Sequence, residues 1–449
     1  MAAPQLTPDR KSAYALITFL FPFLLLLFSE LTLRVFGYGS SYPLFEQVPG
    51  RAGYLQPSQT VAGRFFPSQK NPPKPSTDAF LAKKPAHSFR VFALGESTTA
   101  GFPYPAKAMF TREIEAALRD VLPSDTVEVV NLGIEATNSY AIADFAGEII
   151  DQHPDAVLIY SGHNEYYGAL GSASIGRIGQ KPGLVRFYLK LERLRLVQLF
   201  RSALDAAGGG RRAASSELAI QVAAGKQLIP PATVEYKTGL DQLENNLSLA
   251  IGAFRQAGIP VYVGSLVSNL RDQHPLAYLS TGGREGKGAE GSFTEGEREF
   301  VSGDPALARN LFVRARDMDE LRFRAPSDFN VVIQRVARNA GATYVPVEET
   351  FSGLAEKGIP GHDLILEHVH PNSRGYALLG RAFFSSIESS GLLKRGDFSR
   401  MKNWAAYEKQ MGVTGLDESA AAREVQKVVT RWPFVPFAER SGGTDTGRQ

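Results

Sequence analysis

The longest apolar run lies at the N-terminus, where Ser12–Ser29 carries no charge and apolar character resumes after Glu30 through Phe36. About 20 such residues suffice for one membrane crossing, so residues 12–36 predict a tilted transmembrane helix. Farther on the pattern changes to short, β-rich apolar runs that stop at a glycine. Phe89–Leu94 ends at Gly95, Val127–Leu132 ends at Gly133, and the run from Ala156 ends at Gly162. Buried parallel strands look like this, because both faces of each strand are covered. Helical stretches alternate with them: one beginning near Ala106, then Ser139–Gln152 and Val234–Gly258. A strand is expected at Pro260–Val267, a loop from Asn269 to Phe300, and helices at Pro305–Phe323 and Asp328–Ala340. Ala342–Val347 reads as a further strand and Ser373–Ser386 as a further helix.

Between the apolar N-terminus and the first long strand, residues 37–88 are rich in Pro, Gly and Ser and have little periodicity. They read as a partly extended spacer wrapped on the domain that follows. Residues 89–391 form that domain, with an insertion at 169–258. Within the insertion, Lys181–Arg212 holds eight basic residues against Glu192 and Asp205, with Leu, Val and Phe between them. The spacing predicts one long basic amphipathic helix over 183–207, ended by Gly208–Gly210. A membrane-surface helix, a lid and an ordinary surface helix all fit this pattern. The glycine-rich run Gly282–Gly291 is not a phosphate-binding loop, since its lysine lacks a following Ser or Thr; it reads as a mobile loop. Past Gly391, two helices (Phe398–Met411 and Glu418–Arg431) make a C-terminal extension over 392–440. The polar end, 441–449, reads as disordered.

Four short segments carry candidate chemistry: Gly95-Glu-Ser97, Asn131-Leu-Gly133, Gly162-His-Asn-Glu165 and Glu367-His-Val-His-Pro-Asn372. Ligands of open α/β sheets bind beyond the carboxyl ends of strands, so Ser97, two residues past such an end, is placed for nucleophilic chemistry. A capping or turn role is the competing reading. Gly133 lets the backbone come close to a substrate and offers an N–H, and Asn164 can aim a neutral amide N–H at developing negative charge. Glu367, three residues ahead of His370, can accept the imidazole Nδ1–H and leave Nε2 free to take a serine proton. His368 and Asp363 are the nearest competitors. A zinc site built on His368 and His370 with Glu367 or His362 is the alternative chemistry. Asn269, Asp272, Arg322 and Arg324 are candidates for the mouth of the site, with structural ion pairing the competing role for the arginines.

With these four segments in this order, the chain resembles the SGNH, or GDSL-type, hydrolase family over about 89–168 and 259–390. The resemblance implies a flavodoxin-like α/β/α sandwich with a central, mostly parallel sheet, here with an N-terminal transmembrane helix and helical insertions. It implies Ser97 as nucleophile, His370 as base, Glu367 as the orienting acid, and an oxyanion hole from the Ser97 backbone, Gly133 and Asn164. Esterases, lipases, carbohydrate deacetylases and some acyltransferases share that family. Three departures stand out: the family's GDS is GES here, its GxND is GHNE, and its DxxH is ExxH. The last lengthens the orienting acid by one methylene.

Composition narrows what remains. Hydrophobic residues make up 43% and charged residues 21%, which supports a globular core. The net charge of +3, without a basic stripe interleaved with aromatics, gives no footprint of nucleic-acid binding. There are no cysteines, which excludes disulfides, thiolate metal sites and a cysteine nucleophile. Arg10 and Lys11 precede the apolar run, so residues 1–11 are expected in the cytoplasm and the domain outside the membrane. A cleaved signal peptide is the rival, but no small-x-small site follows the run. The resulting expectation is a membrane-anchored, periplasmic or extracellular serine esterase acting on acyl, chiefly acetyl, esters of envelope carbohydrate. It needs no metal or organic cofactor. O-acyl transfer, lipid-ester hydrolysis and a catalytically silent envelope scaffold are the alternatives.

Overall fold

A computed structural model describes residues 8–67, 69, 71–104, 108–173, 182–207 and 227–436. Lys181, Gly208–Gly210, Arg211, Arg212, the start of the helix expected near Ala106 and the polar end 441–449 lie outside these residues.

The chain opens with helix α1 (Pro8–Val35). Its stretch Tyr14–Val35 has a mean hydropathy of 2.2 and none of it is buried against the protein. Next come three short antiparallel strands, β1 (Phe45–Gln47), β2 (Tyr54–Pro57) and β3 (Phe80–Leu81), which pair in chain order. Strand β4 (Ser88–Gly95) is buried at all eight positions. It leads through a single helical turn, α2 (Ser97–Ala100), to helix α3 (Phe110–Val121). Strand β5 (Thr126–Asn131), helix α4 (Ser139–Ile150) and strand β6 (Ala156–Tyr160) follow. The insertion supplies α5 (Pro182–Leu191), α6 (Arg195–Ala207) and α7 (Val234–Gln256). Strand β7 (Val261–Gly264) precedes α8 (Leu276–Ser280), α9 (Lys287–Ser302), α10 (Pro305–Met318) and α11 (Ser327–Ala340). Strand β8 (Thr343–Val345), α12 (Val347–Leu354) and α13 (Ser373–Ser389) complete the sheet and its cover. Helices α14 (Trp404–Gln410) and α15 (Gly415–Val429) end the described chain.

The main sheet has the order β5-β4-β6-β7-β8 and is parallel throughout. Counted within the sheet this is 2-1-3-4-5, the flavodoxin-like order, whose switch point lies between β4 and β6. Helices α3 and α13 pack together, as do α4, α7 and α11, giving an α/β/α sandwich. The strands are runs of Val, Phe, Ile and Leu with almost no water contact. Each such buried side chain contributes about 1.5–3 kcal/mol relative to exposure, which is why this sheet is the core.

Three expectations need correction. The stretch Asn269–Phe300 is not a loop: it contains α8 and most of α9. Glycines obscure the pattern, but Ala289, Phe293 and Gly296 lie on one face and pack with Phe312 of α10, forming a second small core. The long basic helix is in fact two helices, broken at residues 192–194. At the break Glu192 turns inward to pair with Arg201, and Glu30 of α1 accepts the Arg195 and Leu196 N–H groups at 3.1 and 2.9 Å. A carboxylate at that position caps a new helix start. Finally, the segment 37–88 is more than a spacer. Beyond its sheet, it buries Leu44, Val61, Phe65, Phe66 and Phe80 on the domain.

Arg64 clamps that segment. Its side chain is 1% exposed; Nε donates to the Tyr42 carbonyl at 2.6 Å, and the two Nη atoms meet Asp144 at 2.7 Å and Glu148 at 2.8 Å on α4. Removing the cation takes away the buried partner of two carboxylates, leaving them only the half-exposed Arg193. Arg64→Met is expected to lower stability by about 3 kcal/mol, read as a shift of the denaturant midpoint at unchanged m value. No change would show that the clamp contributes nothing.

Candidate active site

The site is built where β4 and its two neighbours end. Ala93 pairs with Asn131 of β5, and Gly95 with Tyr160 of β6, so the chains leaving these strands emerge side by side. Ser97 therefore rises between the Gly133 and Asn164 segments. The turn carrying it is wedged in place. Thr99 Oγ1 donates to the Tyr160 carbonyl at 3.0 Å, and Asn131 Nδ2 donates to the Thr99 carbonyl at 2.6 Å. Glycine is required twice. A Cβ on Gly95 would lie 2.1 Å from the Tyr160 carbonyl oxygen, and one on Gly133 would lie 2.3 Å from the Ala100 nitrogen.

The histidine arrives from the far end of the domain. After β8 and α12, the segment Glu367–His370 leads into α13, whose cap, Asn372, accepts the Gly375 N–H at 2.9 Å. His370 Nε2 lies 2.7 Å from Ser97 Oγ, and its Nδ1 bonds Glu367 Oε1. Glu367 is 1% exposed and also accepts the backbone N–H groups of His368, Val369 and His370. Burial by itself would raise its pKa, but the imidazoles of His368 and His370 win and hold it well below the carboxylate range. The ring of Phe102 covers His370, with centroids 4.6 Å apart. Ser97 and Asn164 are both half-buried, so each retains access to solvent.

The other candidates are placed elsewhere. Asp363 accepts from the Glu356 and Gly361 N–H groups and lies 3.3 Å from Arg271. His362 is more than half exposed, beside Asp272. His368 lies against the second Glu367 oxygen, between the rings of Phe323 and Phe434. Ligand atoms of Glu367, His368 and His370 do fall within 4.8 Å of one another. Both nitrogens of His370 are nevertheless engaged, one by Glu367 and one by Ser97, so the group suits proton transfer better than a cation. Asn269, Arg322 and Arg324 are buried; the arginines hold the carbonyls of Ile229, Asp317, Asn269 and Gln273. The Gly133 N–H, expected to face the substrate, donates to Asn131 Oδ1 at 2.8 Å in this structure. An asparagine two residues before a turn N–H reaches back in this way.

Glu96 and Glu165 stood out in the sequence only as departures from the family's aspartates, with no role attached. Both are fully buried. Glu96 Oε1 accepts Ser161 Oγ–H at 2.8 Å and the Gly162 N–H at 3.0 Å, fastening the Asn164 loop to the Ser97 turn. Glu165 accepts from Ser139 N and Oγ at 2.8 and 3.0 Å, and from Gln242 of α7. Burial, then the nearby Glu165, pushes Glu96 up to about 8; burial likewise pushes Glu165 up to about 7. His163 is held neutral by burial, its pKa lowered to about 3, and accepts the Ala325 N–H at Nδ1. The C-terminal extension also reaches this region. Trp432 packs on Phe323, and Glu418 of α15 accepts from Tyr104 and Ser373 at 2.6 and 2.7 Å. The aromatic cluster Trp432–Phe437 in a polar tail was the available signal.

A parallel sheet in 2-1-3-4-5 order, with a Ser–His–Glu relay over its switch point, defines an α/β acyl-transfer hydrolase class. More specifically, the chain belongs to the GDSL-like lipase/acylhydrolase family, whose model matches residues 93–378, and it is an ester-hydrolysing enzyme. Solved structures similar to it include an acetylxylan esterase from Geobacillus stearothermophilus, at 14% identity over 68% of this chain and 95% of that one, with a TM-score of 0.34. Another is a GDSL-like lipase from Bacteroides thetaiotaomicron, at 13% identity over 67% and 88%, with a TM-score of 0.32. No curated protein matches the chain.

Two predictions test this construction. Below about 4.5 the Glu96 proton is bound in folded and unfolded chains alike, and stability is full. Between 4.5 and about 8 only the folded protein keeps it, so stability falls as pH rises, by on the order of a few kcal/mol, and Glu165 adds with the same sign. Glu96→Gln, which keeps the acceptor oxygen but cannot ionise, is expected to flatten Tm against pH between 5 and 8; an unaltered slope refutes the assignment. Gly133→Ala should cost about 1–3 kcal/mol through overpacking and displace the Ser97 turn, lowering kcat more than it raises KM.

Proposed function

We propose that this protein is a membrane-anchored serine esterase that removes acyl groups, chiefly acetyl, from cell-envelope carbohydrate through an acyl-enzyme. The observation that carries the reading is the 2.7 Å approach of His370 Nε2 to Ser97 Oγ, across 273 residues of sequence. Ser97 Oγ attacks the ester carbonyl while His370 Nε2 takes its proton. Glu367 holds Nδ1–H, fixes the tautomer and offsets the imidazolium charge. The negative charge on the carbonyl oxygen falls to the N–H of Ser97, the amide of Asn164 and the Gly133 N–H, the last shared with Asn131 in a three-centre bond. One such donor is worth about 3 kcal/mol in the transition state. His370 returns its proton to the departing alcohol. Water, activated by the same imidazole, then attacks the acyl-enzyme, and Ser97 recovers its proton.

The anchor supports the envelope as workplace. Helix α1 is long and apolar enough to cross a bilayer, with Arg10 and Lys11 ahead of its apolar run, so the catalytic domain stands outside the cytoplasm. Acylated glycans are the envelope esters this reading assigns to a half-buried Ser97 past the carboxyl end of β4.

Ser97→Ala should lower p-nitrophenyl acetate hydrolysis by on the order of 10⁴-fold or more and abolish fluorophosphonate labelling, while Glu367→Gln should lower kcat by on the order of 10⁴-fold with the fold intact. Undiminished labelling of Ser97→Ala would exclude Ser97 as the nucleophile. Acetate released from native envelope glycan distinguishes hydrolysis from transfer, in which the acyl group appears on an added acceptor sugar instead.

A further inference from the structure

Helices α5 and α6, joined through residues 192–194, carry large apolar side chains that nothing in the described protein covers. Leu184 and Phe187 on α5 are 52% and 58% exposed, and Leu194 between the helices is 37% exposed. On α6, Leu199, Phe200 and Leu204 are 37%, 62% and 72% exposed. With Ala203 they form a stripe at i, i+1, i+4 and i+5, one face of the helix. Six large apolar side chains in one element exceed the scatter of a normal soluble surface.

Helix α6 is joined directly to α1 and to the turn that follows it. Glu30, near the outer end of α1, caps the first turn of α6 and is itself paired to Arg34 at 2.7 Å. The turn that follows α1 is fastened as well: Gln198 of α6 donates to the Ser40 carbonyl at 2.8 Å and accepts its N–H at 3.0 Å. Gly39 sits so close to Gln198 that a Cβ there would lie 2.2 Å from Oε1. Helix α6 therefore starts at the level where a membrane-spanning α1 leaves the hydrocarbon, and its 13 residues extend about 20 Å from that point.

The charges face the other way. Arg193 pairs with Asp144 and Glu148, Arg201 with Glu192, and Arg186 reaches Asn246 at 3.4 Å, all on the protein side. Among the described bases of this segment, Arg193 and Arg201 are thus neutralised by carboxylates of the protein, while Lys190 remains exposed.

We propose that the exposed apolar side chains of α5 and α6 are a seat in the phospholipid bilayer that holds α1. They sink among the upper acyl chains and fix the height and tilt of the catalytic domain. This rests on α1 being a membrane anchor, and it adds that the attachment is apolar, not electrostatic. Binding of these side chains should therefore not depend on anionic lipid.

The chain has no cysteine, so a single introduced one takes a unique label. Full-length Phe200→Cys, Leu204→Cys, Leu24→Cys and Ser389→Cys proteins, each carrying a nitrobenzoxadiazole fluorophore, are reconstituted in vesicles. One set of vesicles is phosphatidylcholine alone and the other includes phosphatidylglycerol. Both contain lipids bearing a nitroxide either shallow or deep on the acyl chain. At Phe200 and Leu204 the shallow nitroxide is expected to quench several-fold more than at the solvent-facing Ser389, equally in both compositions, while the deep one quenches Leu24. Quenching at Leu24 with Phe200 and Leu204 matching Ser389 would overturn the seat and leave the anchor standing. Quenching at Phe200 and Leu204 only with phosphatidylglycerol would overturn the apolar character of the seat. No quenching at Leu24 would remove the anchor and the seat together.

Discussion

The close approach of the Ser97 turn to its two neighbouring strands is the constraint on which the rest of this structure depends. Two glycines without side chains let the backbone after β4 press against Tyr160 on one side and the Gly133 segment on the other. Thr99 and Asn131 then lock it with one hydrogen bond apiece. Because β4 lies at the switch point of the sheet, the chains on either side diverge there, and a cleft opens above a turn that cannot move. His370, with Glu367 behind it, is aimed at the Ser97 hydroxyl on that turn.

Three buried glutamates around the turn show how surroundings set the charge of one side chain. Glu367 has two imidazoles and three backbone N–H donors, and stays ionised despite complete burial. Glu96 has a hydroxyl, an amide and an acidic neighbour, and keeps its proton at neutral pH. Glu165 lies between them, bonded to Ser139 and Gln242. The ionised carboxylate sits where a histidine needs a partner, and the other two act as struts. A strut can be neutral, which avoids the cost of burying charge. The Glu96 side chain spans from the Ser97 turn to the Gly162 loop.

Around this centre the additions to the sheet are tied down by buried polar contacts. Arg64 secures the segment after α1, Glu30 fixes the insertion to α1 and Gln198 fixes it to the segment after α1, and Glu418 brings the C-terminal helices to the wall beside Ser373. Helix α1, the insertion and the C-terminal helices are thereby tied to the sheet. The α9–α10 pair is the looser case, with a small core of its own.

By itself the sequence determined the order of strands and helices, the apolar first helix and the four segments that line the sheet's edge. Those are written in local periodicity and in glycines whose removal would collide with backbone. It fell short wherever the deciding partner lies far along the chain. The break in the basic helix depends on Glu30, 165 residues earlier. The Asn269–Phe300 stretch becomes helical because Phe312 receives its apolar face. The engagement of the Gly133 N–H and the protonation of Glu96 likewise follow from atoms that only folding brings near. Composition and spacing identify which groups are present; distance and burial, which exist only in three dimensions, decide their charge and their partners.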